Sequence, residues 1–276
     1  MEDLRSLLNR HGFAFKKQFG QNFISDTNLL RAIVDDAGVT EKTTVLEIGP
    51  GAGTLTRALS ERAKKVVAYE IDKNLQPVLA DTLRGCENVE VVFADFAKVN
   101  LKEVEKELGH YTVVANLPYY ITTPIVMRFV EEARLCDGVT VMVQEEVADR
   151  FCGRAGTAAY GAVTAAIARK GIASVTRRVS RNMFTPRPNV DSAIVKIDFS
   201  QGGFSVKSEK TYRDTVRCAF LNRRKTLENN LMQSFRLSRE QAQSILVALS
   251  IDEKARGETL TPEQLGALAD KLYELF

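Results

Sequence analysis

Two hydrogen-bond acceptors and an aromatic ring share one short turn, Asn116-Leu-Pro-Tyr119, and carry the most specific chemistry in this 276-residue sequence. An exocyclic amine on a nucleobase is a weak nucleophile because its lone pair is delocalised into the ring. The Asn116 side-chain oxygen and the Leu117 carbonyl can accept from its hydrogens and so favour a pyramidal amine with its lone pair exposed. Pro118 stiffens the turn, and Tyr119 offers a face on which a base can stack. Three further motifs precede this one: Glu47-Ile-Gly-Pro-Gly-Ala-Gly53, Glu70-Ile-Asp72 and Asp95-Phe96. Gly49, Gly51 and Gly53 follow a β-rich run and allow a tight turn that presents backbone N–H groups to a ligand at a helix start. Thr54 stands where the dinucleotide pattern G-x-G-x-x-G would place its last glycine, which weakens an NAD reading. Glu70 lies about twenty residues further on, where a carboxylate can accept from both hydroxyls of a ribose. Asp95 can accept from an adenine amino group, while Asp72 reads as a helix cap. Glu47 can meet a ligand or brace the turn, and the bracing role is the favoured expectation.

These residues need a scaffold that brings strand ends together. Residues 44–48, 65–69, 89–93, 111–115 and 139–143 are short β-rich runs, and helical patterns such as 55–63 and 75–83 separate them. The alternation predicts a parallel sheet with right-handed crossovers. Residues 26–37 carry Leu29, Leu30, Ile33 and Val34 at helical spacing behind an Asp26 or Thr27 cap. Residues 172–179 and 193–199 read as an antiparallel hairpin on the sheet edge, joined by the loop 181–189. A break at Gln201-Gly-Gly203 sets a boundary near residue 202. Beyond it, 212–220, 225–233, 238–249 and 261–275 have helical apolar spacing, and Thr261-Pro-Glu-Gln264 is a helix start. The expected division is therefore 1–202 and 203–276.

Composition excludes several classes. With 45% hydrophobic and 26% charged residues the chain is an ordinary globular one, large enough for an α/β core and a second unit. The stretch 155–168 falls short of the ~20 apolar residues a membrane span needs, and the amino terminus lacks the pattern of a secretory signal. A cytoplasmic location without membrane attachment is expected. Cys86, Cys136, Cys152 and Cys218 form no C-x-x-C pair, and His11 and His110 are the only histidines, so no metal site is expected. The net charge of +3 hides a segregation: residues 150–230 hold sixteen Lys and Arg against five acids, or +11, which leaves −8 elsewhere. Such a patch suits a polyanion better than it suits a merely solvated face.

Over essentially its whole length the sequence resembles the ribosomal RNA adenine N6-dimethyltransferase family. The resemblance rests on Glu47-x-Gly-x-Gly-x-Gly53 and Asn116-Leu-Pro-Tyr119, on Gly20-Gln-Asn-Phe23 and Phe184-Thr-Pro-Arg-Pro-Asn-Val-Asp-Ser192, and on Arg223-Arg-Lys-Thr-Leu-Glu-Asn-Asn230. It implies a Rossmann-like α/β methyltransferase fold, with a mostly parallel seven-stranded sheet, an antiparallel edge hairpin and a small all-helical carboxyl-terminal domain. It implies S-adenosylmethionine as cofactor, held by Gln21, Asn22, Ile24, Glu47, Gly49, Gly51, Gly53, Glu70, Asp95 and Asn116. It further implies catalysis by Asn116, Leu117, Pro118, Tyr119 and Phe184, the two rings sandwiching a flipped adenine. Asn116-Leu-Pro-Tyr-Tyr-Ile-Thr-Thr-Pro124 and the Arg-Lys-Thr-Leu-x-Asn-Asn segment resemble the small-subunit branch, which dimethylates two adjacent adenosines near the 3′ end of 16S rRNA. Tyr120, where that branch often has Asn, is a departure. The expected partner is 16S rRNA in a small ribosomal subunit or its precursor, gripped by Arg213, Arg217, Arg223, Arg224 and Lys225, with the enzyme acting as a monomer. Pairing of these cations inside their own helices is the competing expectation. The alternatives are a resistance-type large-subunit rRNA methyltransferase and a non-catalytic ribosome-assembly factor.

Overall fold

The computed structural model describes residues 4–13 and 22–276. In chain order its elements are α1 (Leu4–Arg10), β1 (Phe23–Ile24), α2 (Thr27–Ala37), β2 (Thr44–Ile48), α3 (Thr54–Ser60), β3 (Lys65–Glu70), α4 (Gln76–Thr82), β4 (Val89–Phe93), α5 (Leu101–Leu108), β5 (Tyr111–Ala115) and α6 (Tyr119–Glu132). They continue with β6 (Cys136–Gln144), α7 (Glu145–Phe151), α8 (Ala162–Lys170), β7 (Ile172–Val179), β8 (Phe184–Thr185), β9 (Ser192–Asp198), α9 (Glu209–Leu221), α10 (Leu227–Phe235), α11 (Arg239–Ala248) and α12 (Pro262–Tyr273).

Seven strands form one sheet in the order β4-β3-β2-β5-β6-β9-β7. β2 pairs in parallel with both β3 and β5, β3 with β4 and β5 with β6, whereas β9 runs antiparallel to β6. The chain leaves β2 toward one side and later returns to its other side at β5. The crossover connections therefore diverge above the carboxyl ends of β2 and β5, the crevice where open α/β sheets hold ligands. Glu47 sits opposite Ala68 and Val114, a register that brings the residues after β2, β3 and β5 to one rim. Buried Val and Leu fill the central strands because helices cover both faces of such a sheet.

α2 forms as its sequence dictates. Asp26 caps it by accepting from the Leu29 N–H at 2.8 Å, Leu29, Leu30, Ile33, Val34 and Ala37 are buried, and Gly38 ends it at φ +73°. A second, two-stranded ribbon pairs β1 with β8, Phe23 against Thr185 and Ile24 against Phe184. It joins two motifs that are far apart in sequence.

The chain divides into two compact units, 1–148 with 174–198 and 149–173 with 199–276. This departs from the sequence division at 202, because α8 belongs to the helical core of the second unit: Tyr212 on α9 donates from its hydroxyl to the Ala165 carbonyl at 2.9 Å. The small residues of α8 let neighbouring helices approach closely, a packing signal that polarity alone does not reveal. Ser208, Thr226, Ser238 and Thr261 cap α9 to α12, and Ser238 and Thr261 complete capping boxes with Gln241 and Gln264. Among the described residues no helix is long and apolar enough to cross a membrane.

Candidate active site

β2 delivers the chain into the glycine turn. Gly49 and Gly51 have φ of +70° and +57°, and a Cβ on Gly51 would lie 2.6 Å from the Phe23 ring. Only glycine meets both demands. The Gly51 N–H, bent inward by this turn, donates to Glu70 Oε2 at 3.0 Å, and the Asp72 N–H donates to Oε1 at 2.8 Å. Glu70 is 4% exposed, and burial holds its carboxyl above the usual range while those N–H groups oppose the shift. It braces the turn as well as facing the ligand space. Asp72 caps the next short helix through the Asn74 N–H, as its sequence position suggested.

Asn116 follows β5. Its Nδ2 donates to the Asn22 carbonyl at 3.0 Å, which orients the amide and turns Oδ1 away as an acceptor. The Thr54 hydroxyl donates to the Ile24 carbonyl at 2.8 Å, a second tie to the same ribbon. Asp95 caps a turn by accepting from the Ala97 N–H at 3.1 Å, with Lys98 Nζ 3.4 Å from its other oxygen.

These groups surround one cavity of about 380 Å³, bounded by residues 22–24, 47–51, 69–71, 94–97 and 116–118, by Thr54 and Leu55, and by Tyr120, Ile121, Pro124 and Ile125 of α6. Asn22, Ile24, Glu47, Gly49, Gly51, Glu70, Asp95, Asn116, Leu117 and Pro118 thus come together as the sequence suggested. Gly53 does not join them: at φ +81° it caps α3 and backs onto Leu79 and Thr82. Tyr119 shares a hydrogen bond with the Ser192 hydroxyl at 2.8 Å and, like Phe184, does not line the cavity. Phe184 is 4% exposed inside the core formed with Leu30 and Ile194. Gln21 lies outside the described residues.

Several cavity residues escaped the sequence reading. Ile71 and Phe96 directly follow the two acids that were found. Tyr120, Ile121, Pro124 and Ile125 form one face of the first turns of α6, and Tyr120 is 64% exposed at its place on the rim. The signal available was helical spacing after the turn, masked by Pro124 and a run of β-branched residues.

The side chains in the second unit divide. Arg223 Nη2 donates to the Tyr160 carbonyl at 2.6 Å, and Arg217 lies 3.9 Å from Asp214 three residues earlier. Arg213 is half-buried, whereas Arg224 and Lys225 are exposed in the turn before α10. Among the described residues no group of three or more His, Cys, Asp or Glu side chains could hold a metal ion.

The family model "Ribosomal RNA adenine dimethylase" matches residues 12–272. The chain belongs to that family. It is a methyltransferase that uses S-adenosylmethionine. Within the dimethylase family it is 45% identical to the ribosomal RNA small subunit methyltransferase A of Geobacillus thermodenitrificans, over 99% of this chain and 96% of that protein. It is 46% identical to the protein of the same name from Streptococcus sanguinis, over 97% and 95%. Among solved structures it matches the 23S rRNA methyltransferase ErmE with a TM-score of 0.71 at 28% identity, covering 91% of this chain and all of the other. A dimethyladenosine transferase from Plasmodium falciparum shares the fold with a TM-score of 0.77 at 23% identity, over 91% and 98%.

The cavity fits the family's cofactor on its own evidence. Its volume lies in the range of small-molecule sites. Among the described residues its ionisable lining side chains are Glu47, Glu70, Asp95 and two tyrosines, with no Lys, Arg or His. Such a lining suits a ligand that carries cationic groups.

Proposed function

We propose that this protein dimethylates the N6 amines of two adjacent adenosines near the 3′ end of 16S rRNA, in a small subunit or its precursor, as part of small-subunit maturation. The observation that carries this reading is the Asn116 amide, held by the Asn22 carbonyl with its oxygen turned away beside the cavity. The small-subunit names of relatives at 45–46% identity support the choice of substrate over the large-subunit assignment of the more distant ErmE.

When bound, S-adenosylmethionine supplies a methyl group on a positively charged sulfur. Glu70 and Asp95 would hold the nucleoside part through its hydroxyls and amine, and the glycine turn would accommodate the amino-acid part. Asn116 Oδ1 and the Leu117 carbonyl accept from the adenine amine and turn its lone pair toward the methyl group. Tyr119 gives the base a stacking face, and Phe184 serves as the opposite face once its buried ring is uncovered. No side chain is needed as a general base, because positioning supplies the acceleration and the proton leaves to water after transfer. Arg224 and Lys225, with Arg213 and Arg217, meet RNA phosphates and recognise shape rather than sequence. The protein works in the cytoplasm as a monomer.

Purified protein incubated with labelled cofactor and unmethylated small subunits is expected to label the adjacent adenosines, located by mapping the modified nucleotides. Label confined to large-subunit RNA would overturn the substrate. Asn116→Ala is expected to slow single-turnover transfer about 100-fold at saturating RNA, by analogy with the loss of one transition-state hydrogen-bonding group. Full activity in that variant would remove Asn116 from the chemistry.

A further inference from the structure

We propose that Glu47 is a proton-exchanging group of the cofactor site, neutral while the cavity carries no cation and ionised when the sulfonium ligand enters, so that the cavity favours this ligand over the uncharged thioether left after transfer. The proposal rests on the cofactor reading above and adds to it a proton and a direction.

Glu47 is 1% exposed, it lines the cavity, and its Oε2 is buried without a hydrogen-bond partner. An unpartnered buried carboxylate is costly, and such a group keeps its proton until a counter-charge arrives. Among the described residues none of the elements packed against it supplies one. Its strand neighbours are Ala68 on β3 and Val114 on β5. Thr56 on α3 offers only a neutral hydroxyl, and Glu70 at the end of β3 brings a like charge. The remaining ionisable lining groups are Asp95, Tyr69 and Tyr120. Burial therefore pushes the Glu47 carboxyl up to about 8, with the Glu70 charge adding to the shift and the Thr56 hydroxyl opposing it. Glu70 occupies the same cavity in a different state, because two backbone N–H groups already satisfy its oxygens. Of the two acids, Glu47 is the one left to answer a cation.

The ligand that enters has a positive sulfur. After transfer the sulfur keeps the electron pair of the broken S–CH₃ bond, the new N–CH₃ bond has formed, and the amine has lost its proton to water. The positive charge on sulfur is then gone, and Glu47 regains a proton from solvent. By reciprocity, a ligand that expels a proton binds more tightly as protons become scarcer. Each adenosine needs two rounds of transfer, so weaker retention of the thioether assists exchange between rounds.

The test is calorimetric titration of the full chain near pH 7, in two buffers of different ionisation enthalpy, with S-adenosylmethionine and with S-adenosylhomocysteine. Both ligands carry the same α-amino group, which itself titrates at about 8, so the difference between them isolates the effect of the sulfonium. The sulfonium ligand is expected to release more protons than the thioether, with an affinity that rises by up to about tenfold per unit as pH approaches 8. In Glu47→Gln the difference in release should vanish and the preference for the sulfonium form should shrink. Equal release by the two ligands in the parent protein overturns the proposal, and so does an unchanged difference in Glu47→Gln. If that variant fails to fold, Thr56→Val, which removes the opposing hydroxyl, must shift the pH window upward; an unmoved window overturns the proposal. Failure of the parent to bind S-adenosylmethionine would instead bring down the cofactor reading beneath it.

Discussion

Two motifs of equal prominence in the sequence serve opposite ends in the fold. Residues 47–53 turn a strand end into the wall of a cavity and leave Glu47 Oε2 without a partner there. Residues 223–230 build the start of a helix, with Leu227 and Asn230 buried. Arg223 donates to the Tyr160 carbonyl, Thr226 caps α10, and Asn230, wholly buried, donates to the carbonyls of Ala219 and Asn222 at 3.4 Å. Asn230 Oδ1 also lacks a partner, but Asn230 is wholly buried within the second unit and is not among the residues that line the cavity. An unsatisfied polar atom is thus evidence of a ligand only when ligand space adjoins it. A motif is evidence of a site only after its contacts within the fold have been subtracted.

The comparison breaks most visibly through pH. The Glu47 carboxyl is raised from 4.5 to about 8 in the folded chain, so between those values the folded state binds a proton that the unfolded state has lost. Stability of the cofactor-free protein should fall as pH rises from about 5 to 8 and level off above, by an amount on the order of a few kcal/mol. Glu47→Gln should lack this fall; denaturant titrations of both proteins across that range give the difference, and parallel curves would show that Glu47 is ionised throughout. The second motif should respond differently. Asn230→Ala leaves the buried Ala219 carbonyl and the half-buried Asn222 carbonyl short of a donor and should cost about 1–3 kcal/mol of stability by denaturant titration, with cofactor affinity unchanged. A stable variant with weakened RNA binding would give the motif a recognition role after all. The smallest effect belongs to the outward cations of that motif. Neutralising Arg224 and Lys225 together should change stability by no more than about 0.5 kcal/mol and reduce the slope of log RNA affinity against log salt by roughly one to two. An unchanged slope would place the phosphates elsewhere.

Much of the sheet and most of the cavity were legible because their signals are local. Alternating β-rich and helical runs gave the parallel strands, Asp26 and Thr261 gave helix starts, and the acids at 47, 70 and 95 stand at strand ends. The carboxyl-terminal helices were legible for the same reason. What stayed hidden depends on distant partners. Nothing near Phe184 announces that pairing with Ile24 buries it. Nothing near Glu70 announces that the Gly51 N–H occupies one of its oxygens. α6 was obscured by Pro124 and by Ile121, Thr122, Thr123, Ile125 and Val126, which disfavour a helix in isolation but are held in one by packing, with Thr122, Ile125 and Val126 buried. The placement of 149–173 with the second unit follows from contacts with α9 and α12, which no boundary signal in its own sequence foretells.

The hydrogen bond from Asn116 to Asn22 makes the orientation of this amide depend on a segment distant in the sequence. Asn22 directly precedes β1, whose partner strand β8 lies at 184–185, so that ribbon cannot close until the polypeptide is made past that point. A nascent chain that ends after β5 already contains the residues of the glycine turn, Glu70 and Asp95 but lacks the partner strand of β1. The acceptor is set only when the two most distant motifs of the first unit meet. The orientation of the Asn116 amide is thereby tied to a pairing between residues far apart in the sequence.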